Sequence, residues 1–531
     1  MKAGPNEDTK IKFIATFRFA YRFFRKFVAF VISFPLSFAF FFSLSAMVSG
    51  CRSRSTPAAY GDASLTDASV TDASGTDASD ALPILYDGCC EPEDIFDLLS
   101  SIPTMTVEES YTTIGGYRYF LLSMEQPVDH EDPESATFRQ YMTLLHRSKD
   151  APMVLLTAGY WNYWQDYRIE PTRLFETNQL VVEHRYFGDS VPVQPEWEFL
   201  NIRQAAADLH RVVDAVRPLY GGRWISAGAS KDGMTAVYFR RFYPDDVDGT
   251  LAYVAPISFA APDVRYIPFL ENVGDVACRD SLRDLQIEGL TRREQMMDRL
   301  SFLAGEQGLE YTHVGGLEAA FELTVVSLPF TFWQYYGVDY CSFVPTTDSD
   351  DDEIFWFLNN YAGFDYSSDL FMEMFISYYY QAHTELGYPD VDISHLQDLL
   401  TTGAVNPEGG VLPPNLEEPV TFDPSVMLDI ASWVETHGHR LMFIYGEYDP
   451  WTAGAFSLGD ATESHFFTID EGTHYASIMD LPVIEQQVAV ETLRDWLGIP
   501  STRESRQNHR FFMEKQFYPG HLFARDHVYQ R

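Results

Sequence analysis

The chain has 531 residues, 46% of them hydrophobic, which is more than one compact core accommodates and predicts two lobes or one domain carrying a large insertion. Its formal net charge is −40. A surface of that sign repels nucleic acid, which is excluded as a partner, and gives no attraction to anionic lipid.

Lys10, Lys12, Arg18, Arg22, Arg25 and Lys26 precede an almost wholly apolar stretch, Phe27 to Val48. Basic residues, an apolar stretch and then small residues describe a signal peptide over residues 1–50. Val48-Ser49-Gly50-Cys51 resembles a bacterial lipobox, in which the cysteine is lipidated. The expected body is therefore exported, and either lipid-anchored through Cys51 to the bacterial cell envelope or secreted. The apolar stretch is also long enough to stay in place as a membrane anchor. Within residues 51–82, Asp-Ala-Ser recurs every five residues, at Asp62, Asp67, Asp72 and Asp77. No core forms from such a repeat, so this segment reads as an acidic, disordered tether.

Setting Cys51 aside, Cys89, Cys90, Cys278 and Cys341 remain. Export permits disulfides, and four cysteines allow three pairings. Adjacent Cys89 and Cys90 bridge each other only with strain, so each is expected to reach elsewhere. No Cys-x-x-Cys pair accompanies suitably spaced histidines, so neither a metal nor a cofactor is expected.

The body reads as an α/β protein. Residues 83–264 form the first part of a sheet domain. Arg118 to Gln126, Thr137 to His146, Pro152 to Thr157 and Asn178 to Glu183 are predicted strands. Ile202 to Val216 has apolar residues at helical spacing. Arg223 to Ala227 is a predicted strand, Gly228 to Gly233 a tight turn, and Thr235 to Tyr243 a helix stopped by Pro244. Gly249 to Ile257 is again strand-like. Alternating strands and helices imply a mostly parallel sheet with helices on both faces.

Residues 265–425 break the alternation and read as an inserted helical cap. Its predicted helices include Thr291 to Gly305, Leu317 to Val326, Ile354 to Tyr361, Asp369 to His383 and Ile393 to Leu400. Most of its aromatics (Phe355, Trp356, Phe371, Phe375, Tyr378, Tyr379, Tyr380) are expected to be cap core, with a few lining a substrate pocket. Asp348 to Glu353 is expected to be a solvated acidic loop. Residues 426–500 resume the pattern, with strands at Arg440 to Tyr445 and Ser464 to Ile469 and a closing helix at Pro482 to Leu497. Residues 501–531 form a basic tail.

Strand, sharp turn with Ser230 at its apex, then helix: this is the layout of a nucleophile elbow, and it predicts an α/β-hydrolase fold. The usual Gly-x-Ser-x-Gly has Asp232 at its last position, with Gly233 one residue later. Asp449 follows the predicted strand at 440–445, and His474 follows the one at 464–469. Ser230, Asp449 and His474 thus stand past three strand ends, where open sheets bind ligands, in the chain order such hydrolases use. Chemistry then assigns the roles. Ser230 is the nucleophile, His474 its general base, and Asp449 holds the imidazole. The oxyanion needs backbone donors, best supplied by Lys231 and by the Gly159-Tyr160 turn. His184, Glu447 and Asp470 are rivals: the first precedes the serine, and the other two flank Asp449 and His474.

Gln126-Pro127-Val128-Asp129-His130, Glu183-His184-Arg185-Tyr186-Phe187-Gly188, Ser230-Lys231-Asp232-Gly233-Met234-Thr235 and Phe242-Tyr243-Pro244-Asp245-Asp246-Val247-Asp248-Gly249 resemble the secreted bacterial tripeptidyl aminopeptidases. These are relatives of prolyl carboxypeptidase and the lysosomal dipeptidyl peptidases. The resemblance runs from about Thr106 to Gly498 and departs at Asp232, where glycine is expected. It implies a serine exopeptidase releasing short peptides, tripeptides in particular, from free N-termini. Such an enzyme must bind an ammonium group. Glu183 is the candidate acid, with a structural contact to Arg185 or to backbone as the alternative. An esterase or lipase would use the same triad, and an inactive surface-tethered binding protein would keep only the shell.

Overall fold

The computed structural model describes residues 94–500, apart from 404, 405, 415, 417 and 418. The signal peptide, Cys51, the tether, Cys89, Cys90 and the basic tail lie outside the described residues.

Among the described residues, nine strands form one sheet: β1 (Met105–Ser110), β2 (Arg118–Pro127), β3 (Thr137–His146), β4 (Met153–Thr157), β5 (Asn178–Val182), β6 (Trp224–Ala229), β7 (Gly249–Tyr253), β8 (Leu441–Gly446) and β9 (His465–Ile469). Their spatial order is β1-β2-β3-β5-β4-β6-β7-β8-β9. The first three and β5 pair antiparallel; every pair from β5 to β9 is parallel. The parallel strands β4 to β8 are buried along their whole length, as strands covered on both faces must be.

Side chains alternate between the faces. Leu155, Leu180 and Trp224 face one way and pack with Leu209, Val212 and Val216 of the helix Ile202–Val216. Val154, Val181, Ile225 and Ala227 face the other way, against Ala489, Val490, Leu493 and Trp496 of the closing helix Val483–Trp496. This is the mostly parallel sheet predicted from the alternation, in the α/β-hydrolase architecture predicted from the elbow.

Between β7 and β8 the chain is helical, with a core of its own built on Phe321, Phe332, Trp333, Phe357 and Leu358. Cys278 and Cys341 are joined by a disulfide across this core. Neither is therefore available to Cys89 or Cys90.

Several cap expectations change. The helix predicted over Leu317 to Val326 runs on through Pro329 to Tyr335. Asp369 to His383 is split into Asp369–Met374 and Ile376–Gln381, followed by a π-turn at Ala382–Leu386. Ile393 to Leu400 forms turns rather than a helix. The acidic run is not a free loop: Asp350 caps the helix Asp351–Tyr361 by accepting the Glu353 N–H (2.9 Å), where acids suit the helix dipole. Asp351 and Asp352 pair with Arg292 and Arg299. Trp356 is 57% exposed instead of core, because it points off that helix away from Ile354, Phe357 and Leu358.

Candidate active site

The elbow is tighter than its sequence predicts. The strand β6 runs on through Gly228 and Ala229, and the helix Lys231–Phe242 begins at once, so the turn is Ser230 alone. Ser230 has φ 56° and ψ −128°, in the left-handed half of conformational space that side chains avoid. Its N–H donates to the Tyr253 carbonyl at the end of β7 (2.9 Å), which holds the strained residue in place. Two glycines make this turn possible. A Cβ at Gly228 would lie 2.3 Å from the Asp232 carbonyl carbon, and one at Gly233 2.9 Å from the Gly228 oxygen. The close approach usually assigned to the motif's last glycine is thus met by Gly228 and Gly233, which leaves position 232 free to carry a side chain.

On the other side of the site, His474 Nδ1 lies 2.7 Å from Asp449 Oδ2. Asp449 is fully buried and also accepts the Trp451 N–H (3.2 Å). Burial pushes the Asp449 carboxyl up, and the His474 partner pushes it back down. With Nδ1 donating to the acid, the neutral imidazole carries its lone pair on Nε2, the tautomer a general base needs. Glu447 is exposed and accepts the Glu471 N–H, and Asp470 is exposed, so Asp449 is the acid that meets the histidine.

The cap touches this half directly. The His474 N–H donates to the Gln334 carbonyl (2.8 Å), and the Tyr335 ring packs edge-on against the imidazole (6.0 Å). Below, Glu170 accepts from the Tyr253 hydroxyl (2.7 Å) and from the N–H groups of Ile478 (3.0 Å) and Met479 (3.1 Å), tying the histidine loop to the sheet. Neither Gln334, Tyr335 nor Glu170 carries a signal in the sequence; they are brought in by folding.

The oxyanion assignment needs one correction. The Gly159 N–H donates to Asp232 Oδ1 (2.7 Å), so it is not offered to a substrate. The Gly159 oxygen accepts from Lys231 Nζ. Of the two residues of this turn, Tyr160 is then the one that the expectation rests on. Lys231 remains the other expected donor, and as the first residue of its helix it has no intrahelical acceptor for its N–H. Its side chain is 3% exposed, with Nζ over the rings of Tyr160 (5.1 Å) and Phe187 (4.8 Å). Burial lowers the Lys231 ammonium to about 7. The protein packed around the Asp232 carboxylate raises it to about 6, against the pull of the Gly159 N–H and of Lys231.

Glu183 takes the structural alternative. Its Oε2 accepts the Asn162 N–H (2.7 Å). Its Oε1 accepts the N–H groups of Asp189 and Ser190 (3.0 Å each) and the Ser190 hydroxyl (2.8 Å). The carboxylate is fully buried and already satisfied by its own chain, and burial raises it to about 7. Arg185 is not its partner; that guanidinium binds Asp208 through Nε (2.7 Å) and Nη2 (2.8 Å). The rival base His184 is buried, with Nδ1 against the Arg185 carbonyl (2.8 Å), and burial beside Lys231 keeps its pKa well below the usual imidazole value.

Aromatic rings stand around Tyr160. Phe187 (5.5 Å), Phe375 (5.6 Å) and Tyr378 (6.0 Å) pack on it, and Trp161 packs on Phe375 (5.1 Å). Phe375 and Tyr378 are thus among the cap aromatics that face the sheet domain.

The sequence profile of the PS-10 peptidase S37 family matches residues 90–511. The prolyl tri/tetrapeptidyl aminopeptidase of Streptomyces mobaraensis is 40% identical over 411 residues, which is 76% of this chain and 85% of the relative. The lysosomal Pro-X carboxypeptidase of Bos taurus is 30% identical over 182 residues, 30% of this chain and 36% of its own. Among solved structures, the proline iminopeptidase of Mycobacterium smegmatis aligns over 74% of this chain and 98% of its own at 14% identity and a TM-score of 0.30; the fold rests instead on the strand order and the elbow.

Proposed function

Because this chain belongs to the PS-10 peptidase S37 family and is a serine peptidase, we propose that it releases tripeptides or tetrapeptides from the free N-termini of peptides, through Ser230, His474 and Asp449. Ser230 Oγ attacks the carbonyl of the scissile bond while His474 Nε2 takes its proton. The same nitrogen then returns the proton to the leaving amine. Asp449 keeps the imidazole in its working tautomer and stabilises the imidazolium. The Lys231 and Tyr160 N–H groups meet the oxyanion. Water repeats the sequence on the acyl-enzyme.

The observation that supports this reading is the buried Asp449–His474 hydrogen bond of 2.7 Å past the ends of β8 and β9, in the same sheet whose strand β6 ends in the strained Ser230 elbow. The aminopeptidase relative supports the peptide length and adds a preference for proline. The rings of Tyr160, Trp161, Phe375 and Tyr378, packed edge-on and tilted against one another, form an apolar cluster next to the Gly159 turn, of the kind that suits a pyrrolidine. Glu183 is spent on its own chain, so the ammonium ligand is not assigned to it. The protein works outside the cytoplasm, tethered to the bacterial envelope through a lipid on Cys51 or secreted. Its partners are peptides with free N-termini.

The test uses the full chain beside Ser230→Ala, with peptide–chromophore substrates of two to four residues ending in proline or alanine, free or acetylated at the N-terminus. Ser230-dependent release from free tri- and tetrapeptides alone supports the proposal. Equal cleavage of acetylated peptides removes the exopeptidase claim. Turnover of simple esters but no peptide points to an esterase, and no turnover at all to a binding protein.

A further inference from the structure

Position 232 departs from the glycine of the elbow motif, and the side chain placed there is not idle. Lys231 is buried and the adjacent, oppositely charged Asp232 half-buried, yet among the described residues no ion pair joins them. Each spends its charge on the same residue, Gly159, in the turn that follows β4. Asp232 Oδ1 takes the Gly159 N–H (2.7 Å), and Lys231 Nζ takes the Gly159 oxygen. Thr157 adds a third tie, its hydroxyl donating to the Asp232 carbonyl (3.0 Å).

The geometry of a trans peptide makes this informative. The Gly159 C=O and the Tyr160 N–H belong to one rigid plane and point in opposite directions. Holding the oxygen on the Lys231 side aims the Tyr160 N–H the other way. The Gly159 N–H lies in the preceding plane, so holding it fixes the second hinge. Both dihedrals of Gly159 are then set by the two residues that follow the nucleophile. Glycine itself is required, since a Cβ at 159 would lie 2.6 Å from the Lys231 carbonyl carbon. On the far side, the His184 N–H donates to the Tyr160 oxygen (2.9 Å), which fixes the next plane.

We propose that Lys231 and Asp232 are positioning residues that clamp the two polar ends of Gly159 and thereby aim the Tyr160 N–H at the oxyanion formed on Ser230. The inference rests on the serine-peptidase reading of Ser230 given above. Asp232 is then a working part of this elbow rather than a defect in it. A clamp of this kind acts on the transition state: the donor must be placed where charge develops, to within a fraction of an ångström, while the substrate ground state is bound elsewhere.

The test compares the full-length protein with Asp232→Ala, Asp232→Asn and Lys231→Met. Each is assayed for kcat and KM on a tripeptide–chromophore. Each is also titrated with a peptide boronate, which forms a tetrahedral adduct on the serine, and with the corresponding product peptide, which does not. Asp232→Ala is expected to lower kcat and boronate affinity by roughly 10²-fold, with KM and product binding within threefold. Asp232→Asn keeps an acceptor for the Gly159 N–H and is expected to recover to within about fivefold of the parent. A folded Asp232→Ala that keeps kcat and boronate affinity overturns the clamp. So does an equal loss of boronate and product binding, which a general loosening of the site produces. If Asp232→Ala does not fold, the same boronate-to-product ratio in Lys231→Met decides. Activity that survives Ser230→Ala in the parent sinks the serine reading itself, a result separate from any of these.

Discussion

Ser230 stands at the end of β6, a strand whose six residues are all buried, and is followed at once by a helix; His474 stands on a loop beyond β9, an edge strand with exposed residues, and is braced by the cap. The serine half is thus built from the centre of the sheet. Its geometry follows from parallel pairing on both sides and from glycines that let strand and helix touch. The histidine half is assembled from pieces far apart in the chain: Asp449, His474, the Gln334 carbonyl of the cap and Glu170 beneath. A strained nucleophile needs a rigid seat, because its conformation is unfavourable and persists only where its surroundings over-determine it. A base needs only the right tautomer and orientation, which one buried acid and a few loop contacts supply.

The sharpest way to break this comparison is Asp449→Asn. The histidine half should lose its working tautomer while the serine half stays intact. Turnover is expected to fall by about 10⁴-fold, with the melting temperature nearly unchanged. Steady-state kinetics and thermal melting read the two halves separately; a large fall in melting temperature would mean that Asp449 also holds the sheet together.

The next effect concerns the brace. The Cys278–Cys341 disulfide closes a loop of 63 residues and ties the turn after the helix Leu317–Tyr335 to the cap core. Replacing both cysteines by serine is expected to cost about 4 kcal/mol. Since His474 leans on that helix and Ser230 does not, activity should be lost at a lower temperature than the sheet's circular dichroism. Coincident losses would show that cap and sheet melt as one unit, and the distinction between the halves would fall.

The smallest effect sits behind the serine half. Burial raises Glu183 from 4.5 to about 7. Below pH 4.5 both folded and unfolded states are protonated there. As pH rises toward 7 the unfolded state loses that proton first, so the folded state holds more protons and stability falls. The contribution is roughly 3 kcal/mol, complete above pH 7. Glu183→Gln removes this slope: its deficit relative to the parent should narrow between pH 4.5 and 7. A constant gap in urea melts across that range would show that Glu183 is ionised throughout.

Much of this was legible in the chain. Helical spacing placed Ile202–Val216 to the residue, and alternating or wholly apolar runs placed β2 to β5, β8 and β9 to within a residue or two. Serine, acid and histidine past three such strands marked Ser230, Asp449 and His474. What local pattern missed lies where tertiary contacts override it. The cap helix runs through Pro329 because its flanks are buried on all sides, and Ile393 to Leu400 stays unhelical despite its spacing. The family-like segments around Gln126 and His184 are largely scaffold. Arg185 and Asp208 join them: Asp208 also meets His130 Nε2 (2.7 Å), and Gln126 donates to the Asp208 carbonyl (3.1 Å).

By itself, the sequence determined the sheet-and-helix alternation, the elbow and the residue types of the proposed triad, because periodicity and turn chemistry act over a few neighbouring residues. Only the tertiary structure decided which of several acids meets His474, that Glu183 is satisfied by its own chain, and that Asp232 reaches back to Gly159. Those outcomes depend on which backbone donors lie within about 3 Å once distant segments are packed together, and no local pattern encodes that distance.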